Sequence, residues 1–411
     1  MLKKLKIAMA IDAYNTNSGG VVSTVRFVDR LRKHGHKVIV ISTGKNEKDS
    51  VVLKAFYPPV AKKIMQKMKM VFAWPDDEKI KAAIKDVDVV HTQFPFYLGI
   101  KTITIARELG KPVIASFHVQ AENITQNIGL NSKKVNNFIY KFFMKNIYNR
   151  ADIVICPSKF ARDELKRFGL TAKSQILSNG FVEDHYPQKV KKKFPNKFVI
   201  LCVGRLSAEK NQTMIIEAIG KSKYKKEIQL IVKGHGPMKN ELKELGKKLP
   251  NKPVFIEQLS EKKIIELFNT PDLLVHAGMA ELEGMVILDA IACGTPPLIY
   301  DYPKSASKQF ALTSKSLFKN EEDLAKKIDY WYEHPHELQK AKDKYLELSK
   351  KYTMEESIKK LEKIYLKAIE QNKKHPKKTE KRNGKSWFRF LKVLLAIKKI
   401  PIPFRKKSKT N

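Results

Sequence analysis

Residues Phe198–Asn211 have the sequence FVILCVGRLSAEKN and carry the clearest fold signal in the chain. The apolar run Phe198–Val203 is followed at once by glycine, as in a strand that is buried on both faces and ends in a turn. Helical patterns alternate with similar blocks further on, which is typical of a parallel sheet covered by helices. The later strand candidates are Gln229–Gly234, Val254–Ile256, Leu273–His276 and Pro297–Tyr300.

The first half of the chain shows the same alternation. Its strand candidates are Leu5–Ile11, Lys37–Thr43, Val87–Thr92, Pro112–His118 and Ile153–Pro157. Residues 182–197 are charged and interrupted by prolines, a composition typical of a linker. The sequence therefore predicts an α/β fold with two Rossmann-like, doubly wound domains, residues 1–181 and 198–372, facing a central cleft where ligands of such sheets bind.

Composition excludes several classes of protein. The 411 residues include 43% apolar residues and only 18 glycines, so collagen, a coiled-coil rod and a disordered chain are excluded. The cysteines Cys156, Cys202 and Cys293 are far apart, and we expect them to be buried and reduced, with neither a disulfide framework nor a zinc site.

The apolar amino-terminal run is interrupted by Lys6 and ends at Asp12, which predicts a first strand rather than a signal peptide. No uncharged apolar run is long enough for a transmembrane helix, so we expect a cytoplasmic protein.

Two glycine-containing loops could hold phosphate. Gly19-Gly20 follows the first strand and precedes a helical pattern, so backbone N–H groups could bind an anion there, although a tight turn explains it equally well. Arg205 and Lys210 follow the strand Phe198–Val203 and supply two cations for a diphosphate. Arg205 is the stronger candidate, because this sequence uses lysine almost everywhere else; ordinary surface charge is the alternative.

The most informative constellation is AELEGMVILDAIACGTP, residues Ala280–Pro296. It predicts a loop with acidic residues, a turn at Gly284 and an apolar helix. Glu281 lies in the loop, and Asp289 lies two turns into the helix, where a carboxylate needs a hydrogen-bonding partner. Sugar hydroxyls are suitable partners because a carboxylate accepts several hydrogen bonds. The helix dipole explains Glu283 and is an alternative explanation for Glu281, but it does not explain Asp289.

These three elements together resemble the retaining glycosyltransferases of family 4, which have the GT-B fold. The resemblance covers roughly residues 5 to 370 and implies sugar transfer from a nucleotide diphosphate donor, with retention at the anomeric carbon and without a metal ion. It implies that Arg205 and Lys210 bind the diphosphate and that Glu281 binds the donor sugar. It further implies donor contacts at Asp289, for the ribose, and at Gly284, Met285, Val286, Gly19 and Gly20, for the phosphates.

Two positions depart from the usual motif. The second acid of this family is normally glutamate, and here it is Asp289, which is one methylene shorter. Glu283-Gly284 stands where a hydrophobic residue and glycine are usual, and this resembles the branch that modifies lipids, in particular the diacylglycerol glucosyltransferases.

Three residues of the first half are candidates near the reaction centre. The resemblance supports contact of His118 with the transferred sugar, and a structural histidine is the alternative. His91 and Glu122 are candidates for the acceptor side, with a structural role as the alternative for His91. The resemblance also implies front-face displacement, in which the departing phosphate takes the proton of the acceptor hydroxyl, so the protein positions groups and stabilises charge.

The formal net charge of +38 points to an anionic partner. Residues 373–411 form a predicted basic amphipathic tail suited to a membrane interface. Two internal segments, residues 60–72 and Phe138–Arg150, also combine basic and apolar residues, and ordinary lysine-rich helix faces remain an alternative for both. Nucleic acid is less favoured, because no zinc-finger or RNP signature is present. The residues expected at the membrane are Lys62, Lys63, Lys67, Lys69, Trp387, Arg389, Phe390 and Lys392.

We therefore predict a peripheral enzyme on the inner face of the cell membrane that transfers a hexose from a UDP-sugar, with UDP-glucose and 1,2-diacylglycerol as the favoured pair. A transferase acting on surface polysaccharide or a polyprenyl-linked acceptor is the alternative enzyme. A degenerate GT-B module that binds anionic surfaces is the non-enzymatic alternative.

Overall fold

The computed structural model contains two parallel β-sheets with helices between their strands. The described residues are 3–14, 16, 18–44, 49–58, 62–67, 70–127, 130, 132–183, 186–377 and 386–392. The strands are β1 (Lys6–Ala13), β2 (Lys37–Thr43), β3 (Ser50–Val52), β4 (Lys54–Phe56), β5 (Phe72–Trp74), β6 (Val89–Thr92), β7 (Val113–Ser116), β8 (Ile153–Cys156), β9 (Lys173–Ile176), β10 (Phe198–Val203), β11 (Ile228–Lys233), β12 (Val254–Ile256), β13 (Leu273–His276), β14 (Pro297–Tyr300) and β15 (Leu317–Phe318).

Helices connect and cover these strands. They are α1 (Gly19–Lys33), α2 (Lys62–Lys67), α3 (Asp77–Ile84), α4 (Tyr97–Glu108), α5 (Ala121–Asn127), α6 (Lys133–Asn146), α7 (Lys159–Arg167), α8 (Gln212–Lys221), α9 (Lys239–Gly246), α10 (Glu261–Phe268), α11 (Met285–Ala292), α12 (Glu321–Glu333), α13 (Pro335–Ser349) and α14 (Met354–Lys374). A further helix, the tail helix, covers residues 386–392. None of the helices in these described ranges is long and apolar enough to cross a bilayer.

The two sheets have related strand orders. The first runs β3-β2-β1-β6-β7-β8-β9 and the second runs β12-β11-β10-β13-β14-β15, with every pairing in both sheets parallel. In each sheet the strand order reverses beside the first strand, β1 or β10, because later strands are added on its other side. A crevice forms at the carboxyl ends of the strands at such a reversal. The predicted fold class is confirmed.

The strands that the sequence did not predict are short and lie at edges or outside the main sheets. β9 has the sequence KSQI and is half exposed, so it lacks the continuous apolar run of a central strand. β4 and β5 pair with each other as a separate antiparallel ribbon. These elements are stabilised by tertiary contacts rather than by a periodic apolar pattern.

The last long helix crosses back to the first domain. Ile358, Leu361 and Tyr365 on α14 are fully buried in the same core cluster as Ile7 and Met9 on β1. This segment belongs by sequence to the predicted domain 198–372, whereas its apolar face packs on the first sheet. The helix therefore ties the second half of the chain to the first sheet. The domain boundaries themselves stay a prediction.

Candidate active site

The predicted donor loops meet at the carboxyl ends of the second sheet. Arg205 follows β10, Lys210 ends the short 3-10 helix Ala208–Lys210, and Glu281 follows β13. The Lys210 ammonium donates to the Glu281 carboxylate, so the two loops are in direct contact. Within the described part of the chain, the half-buried guanidinium of Arg205 forms no ion pair. A cation without a carboxylate partner beside this pair is suited to an incoming diphosphate.

Glu281 is an ionised carboxylate held between two nitrogen groups. Its Oε1 lies 3.2 Å from Nε2 of His276, at the end of β13, and also accepts from Lys210. Burial acts to raise the pKa of Glu281, but Lys210 and His276 outweigh it and lower the pKa to about 2. The carboxylate therefore stays charged at neutral pH, as hydrogen bonding to sugar hydroxyls requires.

The start of α11 forms the anion-binding part of the site. Gly284 precedes the helix with φ +106°, and a Cβ there would lie 2.9 Å from Oγ of Ser307, so glycine is required on both grounds. The first N–H groups of a helix lack acceptors within the helix, and its dipole favours an anion nearby. A Cβ on Gly19 at the start of α1 would lie 3.8 Å from Sδ of Met285. The amino termini of α1 and α11 therefore face each other across the crevice.

Gly20 brings α1 close to His118. A Cβ at Gly20 would lie 2.7 Å from the Phe94 ring and 3.1 Å from Cβ of His118, so any side chain would push α1 away from them. Nε2 of His118 lies 3.0 Å from Oε1 of Gln93. Burial lowers the pKa of His118 to about 4, so the ring is neutral at physiological pH. A neutral imidazole can hydrogen-bond a sugar hydroxyl, but it is a weak proton acceptor.

Asp289 forms an ion pair with an arginine of the first domain. Nη2 of Arg26, on α1 of the first domain, lies 3.2 Å and 3.3 Å from its two carboxylate oxygens. The predicted ribose contact therefore carries an ion pair across the domain interface. A carboxylate has room for further hydrogen bonds, so a ribose hydroxyl can share Asp289 with Arg26.

Residues of the first domain also form hydrogen bonds with the loop that contains Glu281 and Glu283. Oγ of Ser158 donates to the carbonyl of Leu282 at 2.6 Å. Oε2 of buried Glu283 accepts from the Asn179 backbone N–H at 3.0 Å and from its side-chain amide at 2.6 Å. Ser23 on α1 donates to the Asn179 side chain at 2.6 Å. Glu283 therefore links the donor loop to the segment that joins the two domains.

The buried Glu283 predicts a pH-dependent stability. Burial raises its pKa from 4.5 to about 7, although hydrogen bonds from Ser178 and Asn179 oppose this. The folded protein thus binds the proton more tightly than the unfolded chain, and this stabilisation, complete below pH 4.5, is lost as pH rises through about 7. We expect the free energy of unfolding, measured by urea unfolding, to fall less steeply with pH over this window in Glu283→Gln than in the wild type. The two slopes should differ by on the order of 1 kcal/mol per pH unit.

Glu337→Gln is the matched control for this experiment. Glu337 lies on the exposed face of α13, where Lys315 and Tyr330 lower its pKa, so it is already ionised across the window. This variant is expected to keep the wild-type slope. A Glu283→Gln protein with an unaltered slope would contradict the proposed protonation of Glu283.

The structure places the two acceptor-side candidates inside internal networks. His91 is fully buried, with Nδ1 2.9 Å from the Tyr365 hydroxyl and Nε2 2.8 Å from Oγ of Ser116. Burial lowers its pKa to about 3. Both ring nitrogens are engaged by neighbouring side chains, which favours the structural interpretation of His91, and its acceptor-side role stays a prediction.

Glu122 takes part in a second contact between the domains. Its carboxylate accepts from the Tyr140 hydroxyl at 2.9 Å and lies 3.5 Å from Nζ of Lys304, which belongs to the second domain. Lys304 also contacts Glu164 at 2.8 Å. Glu122 therefore joins the two domains in this conformation rather than facing an open acceptor site.

The tail helix differs from the predicted membrane anchor. Arg389 and Lys392 are exposed, but Trp387 and Phe390 are only 1% and 3% exposed. The expectation that these two rings are free to enter a bilayer is wrong for this conformation, because aromatic side chains of the first domain cover them. Lys62 is exposed on α2. Lys69 and the side chains of Lys63 and Lys67 lie outside the described residues.

Sequence comparisons agree with the fold and the site. Residues 17–185 match the model described as Glycosyltransferase Family 4, and residues 186–347 match the model described as Glycosyl transferases group 1. Alpha-monoglucosyldiacylglycerol synthase of Streptococcus pneumoniae is 26% identical over 344 residues, which cover 78% of this chain and 77% of that protein. A GDP-mannose-dependent alpha-mannosyltransferase of Mycolicibacterium smegmatis is 23% identical over 310 residues, which cover 72% and 80% respectively.

A structural comparison gives the same fold. Anabaena Alr3699/HepE, solved in complex with UDP and glucose, superimposes with a TM-score of 0.70 at 15% identity, covering 88% of this chain and all of the other. Two parallel-sheet domains with their loops converging at the strand ends define the GT-B class. The two adjacent family matches together account for residues 17–347, and the chain is a glycosyltransferase of the family 4 type.

Several residues of the site were missed from the sequence. His276 ends a strand that was predicted correctly, and its position at the carboxyl end of a parallel strand was the available signal. Arg26 is an arginine in a lysine-rich chain and lies two turns into α1. Lys304 follows β14 in a loop without a motif. The partners of Arg26 and Lys304 lie in the opposite domain, a relation that local patterns do not contain.

Proposed function

We propose that this protein transfers glucose from UDP-glucose to a membrane lipid, 1,2-diacylglycerol, at the inner face of the cell membrane. The likeness to a named alpha-monoglucosyldiacylglycerol synthase over more than three quarters of the chain carries this proposal. The Glu283-Gly284 pair and the exposed basic residues Lys62, Arg389 and Lys392 support a lipid acceptor and an anionic surface.

The proposed mechanism assigns each part of the crevice a role. Arg205, Lys210 and the start of α11 bind the diphosphate and stabilise the charge that it gains on leaving. Glu281 accepts hydrogen bonds from the hexose hydroxyls, and neutral His118 contacts the sugar from the first domain. The acceptor hydroxyl forms the new bond to the anomeric carbon as the bond to phosphate breaks, and the leaving phosphate oxygen takes the proton. Positioning therefore supplies most of the rate enhancement.

Vesicle assays test this proposal. The full-length protein is incubated with diacylglycerol in phosphatidylglycerol vesicles and labelled UDP-glucose, with UDP-galactose and GDP-mannose as competing donors. We expect label in the lipid fraction from UDP-glucose, an α-linked product, undiminished turnover in EDTA, and vesicle binding that weakens with salt. Transfer to a polyprenyl phosphate but not to diacylglycerol would overturn the proposed acceptor, and preference for GDP-mannose would overturn the donor.

The proposed ribose contact gives a further prediction. Asp289→Asn keeps the shape of the side chain but removes the charge that strengthens a hydrogen bond from a ribose hydroxyl. We expect its affinity for UDP to fall about tenfold, measured by titration calorimetry. Asp301→Asn is the control, because Asp301 also pairs with a cation, Lys308 at 3.1 Å, but on a half-exposed loop. An unchanged affinity in the Asp289 variant would remove this residue from the donor site.

A further inference from the structure

An aromatic groove in the first domain is filled by the tail helix. The groove is formed by five rings from β5, the start of α4 and the outer face of α6. These are Phe72, Phe96, Tyr97, Phe138 and Phe142.

Two side chains of the tail helix occupy this groove. The Trp387 ring centroid lies 5.6 Å from that of Phe72 and 6.5 Å from that of Tyr97, to which it is nearly parallel. The Phe390 ring stacks on Phe142 at 4.1 Å and on Phe138 at 5.7 Å. These two residues therefore cover the apolar surface that the five rings form.

The groove leads toward the reaction centre. Trp387 contacts Phe96 at 6.0 Å, Phe96 contacts Phe94 at 5.8 Å, and Phe94 contacts His118 at 6.4 Å, all between ring centroids. Phe94 also lies against Gly20 at the start of α1. An apolar ligand in the place of Trp387 would therefore point along a line of rings toward the predicted sugar contact.

Cations flank the groove. Lys134, Lys141 and Lys145 are exposed on α6, which also carries Phe138 and Phe142. An apolar groove beside a row of lysines matches a lipid that arrives from an anionic membrane surface. The exposed lysines of α6 would have no such role if the aromatic face of this helix served only to pack against the protein core.

We propose that this groove binds the acyl chains of the lipid acceptor and that the tail helix competes for it through Trp387 and Phe390. The proposal rests on the proposed lipid acceptor and adds the site at which its chains bind. A helix of two turns is marginal on its own, so its order depends on the two docked rings. A ligand that buries a comparable apolar surface can therefore displace it.

The test measures lipid binding in the absence of a sugar donor. Full-length protein is dialysed against labelled dioctanoylglycerol, and the wild type is compared with Trp387→Ala/Phe390→Ala. If the tail helix occupies the groove most of the time, removing its two rings lowers the apparent Kd about five- to tenfold. Adding Phe142→Ala to this variant removes a wall of the groove and is expected to raise the Kd again by about tenfold.

Other readings have distinct outcomes. An unchanged or weaker affinity in the tail variant would show that the tail helix does not compete, and an unaltered affinity after the Phe142 change would show that the chains bind elsewhere. Equal affinity for dioctanoyl phosphatidylglycerol would contradict the assignment to the acceptor. UDP affinity should be unchanged in every variant, and Trp387→Ala alone provides a milder change should the double variant unfold. Binding of dioctanoylglycerol in this test, together with no sugar transfer in the vesicle assay, would refute the proposed function but not the proposed lipid-binding groove.

Discussion

Replacing Glu281 with glutamine is expected to reduce kcat/KM for sugar transfer roughly 10²- to 10³-fold. Glutamine retains the size of the side chain but loses the charge that strengthens hydrogen bonds from the hexose hydroxyls. It also loses the ion pair that holds Lys210, so two groups of the proposed site are affected by one change. Initial rates at several donor concentrations measure the effect.

The stability of this variant should change little. Glu281 is mostly buried, but a neutral amide can still accept a hydrogen bond from Lys210, and we expect the melting temperature to fall by only a few degrees. Glu337→Gln again serves as a control, because Glu337 is also paired with a lysine but lies on the outer face of α13. Turnover near the wild-type level in the Glu281 variant would remove this residue from the site.

Replacing Arg205 with glutamine is expected to lower kcat/KM by about 10³-fold and to weaken UDP binding. The guanidinium can bind two phosphate oxygens at once and neutralises charge on the leaving group. Arg205→Lys should recover only part of the activity, because an ammonium lacks this planar fork. The melting temperature should not change, since the guanidinium of Arg205 forms no ion pair within the described residues.

Arg162→Gln is the matched control for this charge. Arg162 lies on α7, is partly exposed and, within the described residues, forms an ion pair with its neighbour Asp163 at 3.3 Å. Its loss should leave both donor affinity and turnover unchanged. Equal losses in the two variants would show that overall positive charge, rather than a specific diphosphate contact, explains the effect of Arg205.

Most of the fold could be predicted from the sequence because the central strands are continuously apolar. Strands β2, β10, β12, β13 and β14 have the predicted bounds. Of these, β10, β13 and β14 are buried on both faces, which leaves a strong local signal. Short edge strands such as β9 are partly polar and carry no such signal.

The loops of the site were predicted for a similar reason. Motifs directly after a parallel strand lie at the carboxyl edge of its sheet, so Arg205 and Glu281 could be placed together without coordinates. The contacts of Arg26 with Asp289 and of Lys304 with Glu122 depend on the orientation of the two domains. The aromatic face of the tail has the pattern of a membrane-binding surface, whereas in the structure Trp387 packs against aromatic rings of the first domain.

A crystal structure of the protein with bound UDP-glucose is the most direct test of this account. We predict a diphosphate within hydrogen-bonding distance of Arg205, Lys210 and the first N–H groups of α11, with the hexose hydroxyls on Glu281. A diphosphate bound outside the crevice, with those groups in contact only with solvent or with each other, would contradict it.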